Sequence, residues 1–241
     1  MYPLGVLNRK IDLATLLELR FEGSNGSQVF TDSSVYKRSV TVGSGTPTLT
    51  TTSPLSGTSS LLLGTNGTIT TPDFTTPVQT NGTRLNTIEF RIQTALTDIA
   101  FNEAQGVFVK GYSFSLAFDY SHQCILIRNA SGTGGVLKMF YNISTIARPF
   151  AFVSIAIADL SANNHIAFTR RGNGTFIGYL NGVQVDFLFA DDYTANTLAI
   201  GIGASLYNWD TGLQTTKFKG LLDNFKLSNV DRYPTNFTPP T

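Results

Sequence analysis

The stretch from Arg170 to Phe189 constrains the chain most, because it is compatible with very few local structures. Arg171-Gly172-Asn173-Gly174 supplies one hairpin loop and Asn181-Gly182 a second. Asn-Gly is a favoured pair for a two-residue type I′ turn, whose two central residues both need positive φ. The runs 165–170, 175–180 and 183–189 are rich in β-branched and aromatic residues and are expected to form a three-stranded antiparallel meander.

Comparable segments recur along the chain. Leu17, Leu19 and Phe21 alternate with Glu18, Arg20 and Glu22, which predicts a half-buried first strand ending at Gly23, before a turn at Ser24–Ser27. Short strands are expected at Ser39–Val42, Ser60–Leu63 and Ile69–Thr71, with an Asn66-Gly67 turn between the last two. Gly43–Thr58 reads as a loop or irregular edge. The region 85–99 is ambiguous: Ile88, Phe90 and Ile92 alternate like a strand, whereas Leu96, Ile99 and Ala100 could carry a short helix. Further strands are expected at Tyr112–Tyr120, Gln123–Asn129, Val136–Tyr141, Phe150–Asp159, Leu198–Gly203 and Lys217–Ser228, the last bent near Gly220. Many short strands without a convincing long helix predict an all-β fold, a two-sheet antiparallel jelly-roll sandwich. The expected organisation is one sandwich over 1–241, with a short amino-terminal arm (1–14) and an extended tail (232–241) closed by Pro239-Pro240.

Composition removes several classes of function. Apolar residues make up 41% of the chain, enough for a substantial core, while the net charge of +1 gives no general attraction to nucleic acid or anionic membranes. Neither nucleic-acid binding nor membrane insertion is expected, because no apolar run reaches 18 residues and no secretory signal is recognisable at MYPLGVLNRK. The single cysteine, Cys124, cannot form an internal disulfide and reads as a small buried hydrophobe. Seven Asn-x-Ser/Thr triplets, from Asn25 to Asn236, read as products of a Thr/Ser/Asn-rich surface.

Four ordered stretches carry a resemblance: Leu16–Gly23 followed by Phe30–Ser34, Gly57–Leu63, His165–Arg170 with Gly178–Gly182, and Phe218–Phe225. Together they resemble the laminin-G-like branch of the concanavalin A-like lectin/glucanase fold, especially the jelly-roll domains of bacteriophage tail and other virion proteins. Arg232-Tyr233 and Asn236–Pro240 resemble the ending of the phage versions. Residues 93–160 match least. Outside them, Arg91 or Ile92, and Phe176, stand where the family usually has tryptophan, and Gly178 replaces a larger apolar residue. The resemblance implies a non-enzymatic, tail-associated virion component, localised to the virion, that contacts other virion proteins in multiple copies and adheres to host-surface polysaccharide. The alternatives it leaves are a capsid decoration or head-surface protein and a carbohydrate-binding lectin.

Catalytic chemistry finds little support in the residues. Glucanases of this fold place two glutamates on one face of a strand, flanking the glycosidic bond, in a Glu-x-Asp-x-x-Glu arrangement. None of Glu18, Glu22, Glu89 and Glu103 has that spacing. Two histidines and one cysteine make neither a conventional zinc cluster nor a nucleophile-elbow triad. His165 reads as a satisfied structural histidine, and Asp223 as a holder of backbone donors at a strand end. No cofactor is required, but Ca²⁺ is possible: calcium takes six to eight oxygen ligands, and Asp191, Asp192, Asn208 and Asp210 are candidates. The bland reading of these residues is a polar turn. The preferred ligand site is Tyr207-Asn208-Trp209-Asp210, where the sole tryptophan offers a stacking face beside planar polar groups; Tyr193 is a lesser candidate. The same tryptophan could instead dock a protein or cap the sandwich.

Overall fold

The computed structural model describes residues 12–72, 87–110, 122–142, 150–171, 174–189, 199–204, 207–208 and 213–240, the side chains of 142, 150, 151, 207, 208, 213 and 214 excepted. In chain order the strands are β1 (Thr15–Leu19), β2 (Thr41–Ser44), β3 (Thr48–Thr50), β4 (Ser60–Leu63), β5 (Thr68–Thr70), β6 (Thr87–Gln93), β7 (Ala104–Lys110), β8 (His122–Arg128) and β9 (Gly135–Asn142). They continue with β10 (Phe150–Ile157), β11 (Asn164–Arg170), β12 (Thr175–Leu180), β13 (Val183–Phe189), β14 (Ile200–Ile202), β15 (Tyr207–Asn208), β16 (Leu213–Gln214), β17 (Thr216–Lys217) and β18 (Gly220–Ser228). The first sheet runs β13-β12-β11-β6-β18-β4-β3 with β1 also paired to β18; the second runs β10-β9-β8-β7-β14-β5-β2 with β17 on β7. Pairings among the described residues are antiparallel, apart from the short β17–β7 contact. This is the two-sheet antiparallel sandwich that the strand pattern predicts.

One apolar core fills the space between the sheets. Leu17, Leu19, Ile88 and Leu227 meet Leu126, Leu137, Met139 and Ile155 there. Phe90, Phe225 and Phe108 bridge the two layers, with ring centroids 5.2–6.0 Å apart. Edge-to-face geometry at such distances contributes beyond the area buried.

The meander forms as expected, with β12 and β13 at the predicted bounds. Asn181 and Gly182 both take positive φ, 50° and 81°. A side chain at Gly182 would meet the Phe237 carbonyl oxygen at 1.9 Å, so this turn also seats the carboxy-terminal tail. Gly178 allows a close approach of the other sheet: an added Cβ would lie 2.8 Å from Val153 Cγ1. Beside it Asp186 closes one side of the sandwich. Its Oδ2 accepts the Ser154 backbone N–H at 2.7 Å, and its Oδ1 accepts the Phe187 N–H at 2.8 Å, so one carboxylate occupies amides on the edge strands of both sheets.

Several local expectations need correction. The first strand ends at Leu19, because Phe21 turns to φ 55° while its ring still reaches the core. Residues 96–100 form turns rather than a helix, and β7 follows where no strand was expected. Gly106 looks like a breaker in the sequence, but the strand absorbs it by a register shift between Gly106 and Phe108. Gly43–Thr58, expected to be irregular, contributes β3 and the end of β2. The strand expected at Tyr112–Tyr120 lies outside the described residues.

Candidate binding site

The outward positions of β1, β18, β6 and β11 converge on one open cleft. Register sets its floor: Glu18 lies opposite Lys226, and Lys226 opposite Glu89, so a row of alternating charge crosses three strands. Lys226 Nζ is 3.2 Å from Glu18 Oε1 and 3.8 Å from Glu89 Oε1. His165, on the next strand, pairs in register with Arg91 and points Nε2 to within 3.4 Å of Glu89 Oε2. Arg20 contacts Glu18 at 3.2 Å, while Glu22 is held at the rim by the Thr58 backbone N–H. The cavity is about 570 Å³ and is completed by Ser56, Gly57, Asn224 and Pro240.

The tail forms one wall of the cleft. Tyr179 donates its hydroxyl to the Tyr233 carbonyl at 2.6 Å, and Phe237 donates its backbone N–H to the Gly182 carbonyl at 2.9 Å. Tyr233 and Phe237 stack at 3.5 Å, and the Phe237 ring meets His165 edge-on at 5.7 Å. Tyr233 also donates its hydroxyl to Glu89 Oε2, and Arg91 donates to the Pro240 carbonyl. Glu89 and His165 are consequently only 3% and 2% exposed.

Burial alone would push the Glu89 carboxyl up. Hydrogen bonding to His165 and Tyr233, together with the Lys226 ammonium, outweighs burial and holds it below its ordinary value. Glu89 therefore stands in the wall as a carboxylate, while burial and that carboxylate push the Tyr233 hydroxyl up. Three buried wall atoms lack a hydrogen-bond partner: Glu89 Oε1, Arg91 Nε and His165 Nδ1. Buried polar atoms are seldom left unpaired, and here an acceptor, a donor and an imidazole nitrogen lie in one wall.

This arrangement does not resemble glycosidase chemistry. A glycosidase needs a carboxyl kept protonated at the scissile bond, and Glu89 is shifted the opposite way. Asp223 is pushed up to about 6, chiefly by burial, but it is fully buried beneath Ser56 and Ser60 and does not line the cleft. Among the described residues no three His, Cys, Asp or Glu side chains are grouped to hold a metal ion.

The sequence-predicted ligand loop lies elsewhere in the chain. Tyr207–Asn208 pairs antiparallel with Leu213–Gln214 in a separate two-stranded ribbon. Trp209, Asp210, Asp191, Asp192 and Tyr193, which carry the expected aromatic site and most of the calcium set, lie outside the described residues. The Glu18–Arg20–Glu22 stripe is present as an ion-paired surface, but as one side of the cleft. His165 is less fully satisfied than expected, since Nδ1 has no partner. Sequence reasoning missed Arg91, Lys226 and the role of Glu89. The available signal was a charged residue flanked by core residues within a strand, as in Ile88-Glu89-Phe90 and Phe225-Lys226-Leu227.

Neither a family model nor a curated protein matches the chain. Solved structures do match. The binding domain of botulinum neurotoxin DC in complex with rat synaptotagmin II superposes at a TM-score of 0.65 and 14% identity, over 91% of this chain and 49% of that one. The same domain in complex with SialylT gives 0.63 and 15%, over 91% and 48%. The serotype C1 binding domain gives 0.63 and 13%, over 90% and 48%. The chain thus spans about half the length of these domains, and identities this low establish the shared fold alone.

These matches overturn the bacteriophage assignment. The similar solved structures are toxin binding domains, not virion proteins, so the virion location, the tail and capsid-decoration roles, and the multi-copy virion partners are withdrawn. The physical reason is that the motifs behind that assignment are scaffold. Asn181-Gly182 reverses the chain, Asp223 ties a bulge, and the aromatic tail covers a sheet face. A jelly roll needs such devices whatever it is attached to.

Proposed function

We propose that the chain is a non-enzymatic, lectin-like recognition module that binds carbohydrate in the cleft on the outer face of the first sheet. The observation that carries this reading is the composition of the cleft wall, where the Glu89 carboxylate and the side chains of Arg91, His165 and Lys226 converge within about 570 Å³. Small-ligand pockets usually fall within about 300–1,000 Å³. Sugar hydroxyls both donate and accept, which suits a cleft lined by the carboxylates Glu18 and Glu22 together with Arg20 and Lys226. The matching toxin domains are themselves binding domains, one of them solved with SialylT.

A glycan array probed with the purified chain tests this reading. Wild type should give a specific signal, and Arg91→Ala or Glu89→Gln should weaken it tenfold or more, about 1.4 kcal/mol. Both variants should retain the wild-type circular dichroism spectrum. Trp209→Ala should leave the signal intact; loss with Trp209→Ala alone would move the site to the 207–210 loop. A blank array for wild type would remove the carbohydrate reading.

A further inference from the structure

We propose that the cleft selects neutral over acidic glycans and that Glu22, at its mouth, sets the selection; this inference rests on the carbohydrate reading above. Among the described lining residues three carboxylates, Glu18, Glu22 and Glu89, accompany three permanent cations, Arg20, Arg91 and Lys226. The cations are already engaged. Lys226 Nζ lies between Glu18 Oε1 at 3.2 Å and Glu89 Oε1 at 3.8 Å, and Arg20 Nη2 is 3.2 Å from the same Glu18 oxygen. Arg91 donates from Nη1 to the Asn163 side-chain oxygen at 3.4 Å and from Nη2 to the Pro240 carbonyl. An acidic sugar would have to displace one of these partners to reach a positive charge.

Glu22 differs from the other two carboxylates. It is exposed at the rim, and no cation among the described residues forms an ion pair with it. Its position is nevertheless fixed. Its Oε2 accepts the Thr58 backbone N–H at 3.0 Å and the Thr58 hydroxyl. Gly57, at φ 57°, leaves the room that this carboxylate fills, since an added Cβ would lie 1.7 Å from Glu22 Oε1. The entrance therefore carries a held negative charge without a counter-ion. A sugar hydroxyl can donate to it, whereas a ligand carboxylate is repelled, and such like-charge placement is a common means of rejecting a wrong ligand. A sieve based on size alone would also reject a bulky acidic sugar, but it would be indifferent to salt, because screening acts only between charges.

The test prints each neutral glycan beside its terminally sialylated counterpart at equal density and probes the pairs with the full chain at about 20 mM and about 500 mM salt. In every pair that binds, the neutral member should be preferred about fivefold or more at low salt and less at high salt, as one nearby like charge would produce. Glu22→Gln keeps an acceptor for Thr58 and should retain the wild-type circular dichroism spectrum. It should bring the low-salt ratio to within about twofold. Equal or stronger binding of the sialylated members by wild type would overturn the selection while leaving the carbohydrate reading intact. So would a preference that ignores salt, which would assign the selection to ligand size, or one that Glu22→Gln leaves unchanged. Blank signals for neutral and sialylated glycans alike would remove the carbohydrate reading, and the selection with it.

Discussion

Asp223 illustrates how one side chain can tie distant strands together. Its carboxylate accepts the Ser56 and Asn224 backbone N–H groups and the Ser60 hydroxyl, and Asn224 itself turns to φ 46°. That role was legible in the sequence as a holder of backbone donors; the distant partners Ser56 and Ser60 were not. Burial pushes its carboxyl from an ordinary 3.8 to about 6, so the folded chain favours the protonated form. The associated stability is present in full below about pH 4 and is lost as pH rises through about 6, a total of roughly 3 kcal/mol. Urea unfolding of wild type and Asp223→Asn from pH 4 to 7 should show the wild type losing stability relative to the variant across that window. A constant difference would contradict the assignment. Glu89 was a different case. The sequence shows a glutamate between two core residues, but nothing local places Lys226 and His165 around it, because those neighbours come from register between strands far apart in the chain.

At the level of elements, β10 and β13 show how a sandwich handles exposed edges. Unpaired edge strands invite aggregation, and charged side chains that occupy edge amides are one defence. Asp186 does this for Ser154 and Phe187 together. Asp186→Ala should cost about 1–3 kcal/mol by leaving these donors without their acceptor. It should also raise light scattering on storage; unchanged stability and scattering would show that the bridge is dispensable. The strands on either side were legible because Asn181-Gly182 and period-two alternation are local signals. β7 was not, since Gly106 interrupts its pattern and only pairing with β8 and β14 explains why a strand forms there. The exposed Phe187 and Phe189 were read simply as strand residues, because alternation alone does not say which face remains uncovered.

On the scale of the molecule, the two sheets share one oily interior and leave chemistry to the outer surfaces. That division was readable from alternation and turn spacing; the biological setting was not, because scaffold motifs serve toxin binding domains and virion proteins alike. The tail links scaffold to site, since its aromatic pair caps the β11–β12 face while Tyr233 and Pro240 reach the cleft residues Glu89 and Arg91. Hydrogen–deuterium exchange on the chain with and without its best array glycan tests the central claim most directly. Protection is predicted along β1, β6, β11 and β18 and in the tail that walls the cleft, with 207–214 unchanged. Protection confined to 207–214, or none at saturating glycan, would contradict it.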